Sequence, residues 1–190
     1  MGKEEDLKST NEIMAARFKK TEDVVVSAEN IAGLFENLLE GIKKEFSVPF
    51  VWLTLIDYEK AAPVISEIQS SEMLKSRFSV ISQELFEKIL PDGGKPVLVN
   101  RGLQPYYKLL PPSRKYFVKS IAVVPFALDG QIIGTWNNGD ADANRYEPDM
   151  KTDLLEALAA GLSRKLSQLV ADKNVASGQT GNHNPSGGFS

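Results

Sequence analysis

The chain of 190 residues contains no cysteine. Disulfides, thiolate nucleophiles, thiolate metal sites and thioether-linked chromophores are therefore outside its chemistry, and the absence fits a reducing compartment. Histidine is nearly missing as well: the single one, His183, lies in a tail rich in Gly, Ser and Asn. That removes a Ser-His-Asp triad, a histidine general base and a histidine-rich metal site. No apolar run approaches the roughly 20 residues of a membrane-spanning helix. The opening MGKEEDLKST is charged and has no apolar core, so a signal peptide is not expected. Positive charge is not in surplus either. A net charge of −3 offers phosphate backbones no basic surface, which argues against a nucleic-acid partner. Together these absences predict a cytoplasmic protein with neither nucleic acid nor membrane as partner.

What is present is enough apolar residue, 42% of the chain, to build one core of ordinary size. Residues 1–23 are highly charged; Ile13, Met14 and Phe18 give only a fragment of helical spacing, so this segment reads as a partly helical, solvent-exposed extension. From Ile31 the pattern sharpens. Ile31, Leu34, Phe35, Leu38, Leu39, Ile42 and Phe46 recur at spacings of three and four, which places them on one helix face. Ser27 is the expected N-cap, Glu29 favours the positive end of the dipole and Lys43 and Lys44 the negative end. Ser47-Val48-Pro49 stops the helix, because a residue before proline avoids the α region.

FVWLTLI at 50–56 is aromatic and β-branched on both faces, which predicts a central strand. Residues 64–68 suggest a weaker strand, and 78–81 either extend the sheet or lead into the next helix. Ser82 is placed to cap a short helix carrying Leu85, Phe86, Ile89 and Leu90, ended by Pro91-Asp92-Gly93-Gly94. PVLVN at 96–100 is a short strand. The following 101–118 segment holds three prolines among Tyr106, Tyr107, Tyr116, Arg101 and Arg114, and long loops of this kind inside a domain carry function more often than not.

The stretch 119–170 is the most informative. Two β-rich runs, 120–128 and 131–137, flank Asp129-Gly130, the pair that accepts positive φ at both positions of a hairpin turn. A polar loop leads to a long amphipathic helix, with Pro148 expected in its first turn. Leu154, Leu155, Leu158, Leu162, Leu166, Leu169 and Val170 form its apolar face, and Ala159-Ala160-Gly161 allows close approach of another helix. From about Lys173 the composition predicts a disordered tail. The expected organisation is thus an extension over 1–23, a domain over 24–172 and a tail over 173–190. The element order predicts an α+β fold: a mostly antiparallel sheet, the two terminal helices on one face, and a layer of short helix and loop on the other.

The wording of the C-terminal half resembles the GAF domain. Val124-Pro125-Phe126, Asp129-Gly130, Ile132-Ile133-Gly134 and Arg145-Tyr146-Glu147-Pro148 stand where that family has a strand ending in valine-proline, a glycine turn, a second strand ending in glycine, and an aromatic-acidic lead into the last helix. A GAF-like bacterial domain family of unknown function, numbered four-eight-four, is similar over more positions. They are Lys119-Ser120-Ile121-Ala122, then Gly134, Asn137, Asp140, Arg145, Tyr146, Pro148, Met150, Thr152, Leu154 and Leu155 in matching spacing, with Pro49-Phe50-Val51-Trp52 upstream. The resemblance spans about 31–170. It implies a sensory or regulatory module that binds a small molecule or mediates dimerisation. Asn137 is followed by Asn138 rather than the lysine of nucleotide-binding members, so a cyclic nucleotide is not favoured. The methionine sulfoxide reductases of GAF type need cysteines, which this chain lacks.

Site expectations follow. Trp52, Thr54, Trp136 and Asn138, with Arg101, Tyr106, Tyr107 and Arg114 from the loop, are the candidate lining of a ligand pocket: mostly apolar, with a few placed polar groups. Arg pairs with carboxylate or phosphate, and Tyr offers a flat face. The alternative is that the tryptophans fill the core and no ligand binds. Asn137, Asn138, Asp140 and Asp142 could present oxygens to a cation, but the spacing is not an EF-hand and Arg145 competes, so an Asp140–Arg145 ion pair within a structural turn is expected, with no metal and no cofactor. Leu34, Leu38, Leu158, Leu162 and Leu166 exceed what one sheet face needs, which predicts a homodimer through the terminal helices. No acid–base pair stands out, so catalysis is not expected, and an enzyme using Asp, Glu or Lys chemistry is the third reading. The resulting expectation is a non-catalytic module that binds a small molecule, dimerises, and signals to a partner protein through the relative setting of its helices; a structural interaction module without ligand is the alternative.

Overall fold

The computed structural model describes residues 2–111 and 117–179. Its first helix, α1 (Gly2–Val26), runs through the whole segment expected to be an extension. The outer half is exposed, but the inner half is packed: Thr21 and Val25 are buried, and Phe18 meets Phe46 with ring centroids 4.6 Å apart. Ser27, expected to cap the next helix, belongs to the end of this one, donating its hydroxyl to the Val24 carbonyl at 2.7 Å. The cap of α2 (Ile31–Phe46) is Asn30, whose side chain accepts from the Gly33 amide at 2.7 Å. Helix α2 ends on Ser47 in the left-handed region, φ 53°, just before Val48-Pro49.

β1 (Phe50–Asp57) lies inside the sheet, as its two-sided apolar character predicts. Residues 64–68 are not a strand. They lie in α3 (Ala62–Ser70), where Pro63 occupies the first turn and Val64 and Ile68 are both fully buried. Residues four apart satisfy a strand period and a helix period alike, and topology decides. β2 (Phe78–Ser82) runs parallel to β1, and parallel neighbours need a crossover, which α3 supplies. Ser82 caps α4 (Gln83–Ile89) as expected, accepting from the Leu85 amide. β3 (Val97–Val99), β4 (Ser120–Leu128) and β5 (Gln131–Asp140) complete a sheet in the order β2-β1-β5-β4-β3, antiparallel everywhere except at β1–β2.

The β4–β5 turn has Asp129 at φ 49° and Gly130 at φ 79°, the positive pair the sequence predicts. A register shift between Phe126 and Ala127 frees the Ala127 amide from the ladder, and Ser163 accepts it at 2.9 Å. One helical turn on, Ser167 accepts the Asp129 amide at 3.0 Å. Both hydroxyls belong to α5 (Asp153–Gln179), so the hairpin is clipped to the last helix. Helix α5 starts later than expected. Pro148 lies before it, in a turn closed by the Met150 amide on the Glu147 carbonyl. It also ends later: residues 173–179, expected in the tail, continue the helix, and Lys173 pairs with Glu67 of α3. Residues 180–190, including His183, lie outside the described residues.

Two layers flank the sheet, as the α+β reading requires. On one face α2, α3 and α5 pack on Leu53, Leu55, Val124, Phe126 and Trp136. On the other, α4 and the segment after β3 cover Trp52, Ile56, Ile121 and Val123. Helix α1 lies over α2 and α5. It is tied to α2 by Lys20–Glu45 at 2.7 Å and by the Asn37 amide donating to the Val24 carbonyl, and at Gly161 of α5 the Glu22 carboxylate fills the space where a side chain would stand.

Candidate functional site

The antiparallel register fixes which candidate residues can meet. Trp52 pairs with Asn137 and Thr54 with Thr135, so these four share a face; Leu53 pairs with Trp136 and Val51 with Asn138, which share the other. Side chains alternate along a strand. The expected single pocket is therefore divided by the sheet: Trp52 and Thr54, with Tyr106 and Tyr107 packed nearby, lie on the loop face, whereas Trp136 and Asn138 lie under the helices. Arg101 is exposed. Arg114, with Lys115 and Tyr116, falls outside the described residues.

The loop face is filled at its centre. The segment after β3 makes a 3-10 turn, Gln104–Leu109, that drives Leu109 into the sheet until none of it is accessible. Its carbonyl accepts three side-chain hydrogen bonds: from Trp52 Nε1 at 2.6 Å, Thr54 Oγ1 at 3.0 Å and Ser79 Oγ at 3.1 Å. Thr54 in turn accepts from Asn137 Nδ2 at 3.0 Å, and Asn137 Oδ1 accepts from Thr135 Oγ1 at 2.9 Å. Thr54, Thr135 and Asn137 are all fully buried, and this network satisfies them without a ligand. The polar residues expected to receive a small molecule here receive the chain's own backbone. A more polar groove of about 420 Å³ runs beside the start of β1 past Trp52, Lys43 and Arg77, the last already paired with Glu40 at 2.9 Å.

The helix face retains a cleft of about 220 Å³. Its floor is Asn138 of β5 and Leu98 of β3. Its walls are Met14 and Phe18 of α1, Ile42 and Phe46 of α2, and Leu154 and Leu155 of α5. The loop residues Arg145, Tyr146, Met150 and Lys151 form the mouth. The loop is held by its own side chains. Asp140 accepts the Asp142 amide, and Asp142 accepts the Asn144 amide, each at 2.9 Å. Arg145 meets Asp140 at 3.4 Å, the ion pair the sequence predicts, and also donates to the Phe46 carbonyl. These carboxylates cap backbone amides and balance a guanidinium. Among the described residues no three His, Cys, Asp or Glu side chains gather as a metal set.

Tyr146 lies beside the Arg145 guanidinium, 5.8 Å from its ring centre. Burial pushes its hydroxyl up to about 12, against the opposing effects of the Arg145 charge and of hydrogen bonds from Arg145 and Asn138. Asn138 itself is only 4% exposed, and its Oδ1 accepts no hydrogen bond. Among the described residues only one other buried side-chain polar atom lacks a partner: Trp136 Nε1, two positions earlier on the same face of β5.

The leucines expected at a dimer interface are not at the surface. Leu34, Leu38, Leu162 and Leu166 are fully buried and Leu158 is 1% exposed within the single chain. They share one core cluster with Leu53, Val124, Phe126 and Trp136 of the sheet, and α1 adds Val25 to it with Phe18 packed against it. Met14, Phe18 and Tyr146, now the sides of the cleft, also escaped the sequence reading. Their signal is faint: Met14, Phe18, Thr21 and Val25 hold a helical spacing, but the helix around them is mostly charged and polar.

No family model matches the sequence, and no curated protein matches it. The architecture does match solved structures. A GAF domain from a phosphoenolpyruvate-protein phosphotransferase of Coxiella burnetii superposes with a TM-score of 0.52 at 9% identity, over 87% of this chain and 96% of that one. A free methionine-R-sulfoxide reductase from Neisseria meningitidis, solved with its substrate, superposes with a TM-score of 0.53 at 17% identity, over 82% of this chain and 89% of that one. The fold is GAF-like. Among the described residues no helix is long and apolar enough to cross a membrane.

Proposed function

We propose that the chain is a non-catalytic sensory or regulatory module of the GAF-like bacterial family it resembles, acting in the cytoplasm on a signalling partner protein, with a small molecule bound in the helix-face cleft. One observation carries this reading: Asn138, whose buried oxygen has no partner, lines an apolar cleft whose walls come from α1, α2 and α5 together. A buried acceptor without a donor costs free energy that a ligand group would recover. A ligand there touches all three helices, so occupancy biases their relative setting. The reductase neighbour does not extend its activity to this chain, which has no cysteine for thiol redox chemistry.

The filled centre of the loop face favours a second reading, a structural interaction module with no ligand. Native mass spectrometry of the protein purified from its own host separates the two. A co-purified small molecule, with hydrogen-exchange protection of α1 and α5 that falls when it is removed, supports the first. A ligand-free protein with unchanged exchange supports the second. Self-association, with the five leucines buried, falls to the outer part of α1, where Leu7 and Ile13 are exposed. Light scattering tests it: a mass near 20.9 kDa at micromolar concentration is the monomer.

A further inference from the structure

We infer that the helix-face cleft selects a neutral, single-ring-sized ligand carrying one hydrogen-bond donor. This rests on the cleft being the ligand site. Size comes first. The cleft holds about 220 Å³, and an apolar protein cavity of roughly 150 Å³ already binds benzene. One ring with a small substituent therefore fits the apolar part of the cleft. Charge comes next. The cation nearest the cleft interior, Arg145, is held by Asp140 and by the Phe46 carbonyl, so it faces the site already balanced. Lys151 is exposed at the mouth, where water screens it. A carboxylate entering the apolar interior would lose its hydration without a free partner, which burial makes costly.

Polarity is the third constraint. Asn138 Oδ1 is an acceptor with no donor. The complement is a ligand O–H or N–H, not a carbonyl. The site lies on the side of the sheet opposite the Leu109 plug, so opening the loop face is not required for entry.

The test uses toluene, phenol and benzoate as probes on the full chain, with affinities from ligand-observed NMR. The expected order is phenol, then toluene, then benzoate, with phenol ahead of toluene by about fivefold, the worth of one hydrogen bond. Asn138→Leu removes the acceptor and keeps the volume. It is expected to erase the preference for phenol while toluene still binds. Met14→Trp fills the cleft from α1 and is expected to weaken both, with circular dichroism showing that each variant folds. Equal affinity of phenol and toluene for the natural chain overturns the inference, as does a preference that survives Asn138→Leu. If no probe binds but the protein from its host carries a molecule displaced by Met14→Trp, the ligand class is wrong and the site stands. If neither is seen, both fall.

Discussion

Asn137 and Asn138 are neighbours on β5 that face opposite sides of the sheet. Both are almost wholly buried. On the loop side Asn137 is locked between Thr54 and Thr135, and the chain of bonds runs on to the Leu109 carbonyl. On the helix side Asn138 leaves its oxygen unmatched beside a cleft. One asparagine is a strut and the other an open hand. The contrast teaches that burial of polar residues does not mark a ligand site by itself: satisfaction does. A completed network rigidifies, whereas an incomplete one is a standing free-energy deficit that something outside the chain can remove.

The harshest way to break the comparison is to disturb the strand both residues stand on. A Cβ at Gly134 would sit 2.3 Å from the Thr54 carbonyl oxygen, a backbone atom of the neighbouring strand, with Phe126 and Leu55 closing the remaining space. Gly134→Ala is therefore expected to cost about 4 kcal/mol and to disorder both faces, read as a fall in the urea midpoint. A near-neutral result would mean that β1 and β5 separate more easily than the register implies.

Next in size is the plug alone. Leu109 is fully buried, and Leu109→Ala is expected to cost about 3 kcal/mol through its cavity. The backbone carbonyl that accepts from Trp52 remains in that variant but loses the buried side chain that anchors it, so water reaches the indole and its fluorescence should move to the red. Probe binding in the helix-face cleft should hardly change. If the loss of Leu109 abolished it, the two faces would not be independent.

Much of this was legible in the sequence, and the reasons for the rest are physical. α2, β1, β4, β5 and the Asp129-Gly130 turn announce themselves because period and turn chemistry are local. So did the Asp140–Arg145 pair, five residues apart in one loop. α3 was misread because Val64 and Ile68 fit two periods, and only the parallel pairing of β1 with β2 selects one. The pocket was misassembled because Trp52 and Trp136 sit in facing strands one register step out of phase, and a single step moves a side chain to the other face. The dimer leucines are buried within the single chain's own core, to which α1 contributes through a narrow apolar stripe on an otherwise polar helix.

The comparison itself is tested most directly by two matched substitutions. Asn137→Leu takes the acceptor from the buried Thr135 hydroxyl and the donor from the Thr54 oxygen, and is expected to cost about 2 kcal/mol. Asn138→Leu removes a group that is already half unmet, and is expected to stay within about 1 kcal/mol of the natural chain in either direction. Both are read by urea unfolding at one pH. Equal costs would show that the Asn138 oxygen is satisfied in solution, by water, and would close the gap between the two faces.

The smallest effect concerns the mouth of the cleft. Burial raises Tyr146 from 10.0 to about 12 in the folded chain. The neutral hydroxyl is thus favoured by folding, so the stabilisation is complete below pH 10 and is lost as pH rises towards 12, where the unfolded chain is already ionised and the folded one resists. Tyr58, which donates to the Ile132 carbonyl and is also raised by burial, contributes in the same direction from the loop side. Tyr146→Phe separates them. It should flatten part of the alkaline fall in stability and leave the Tyr58 part, while a ligand in the cleft, by burying Tyr146 further, should move the tyrosinate absorbance transition still higher. An alkaline fall identical in the natural chain and in Tyr146→Phe would show that the mouth is open to water, and that the helix side is no better sealed than a surface groove.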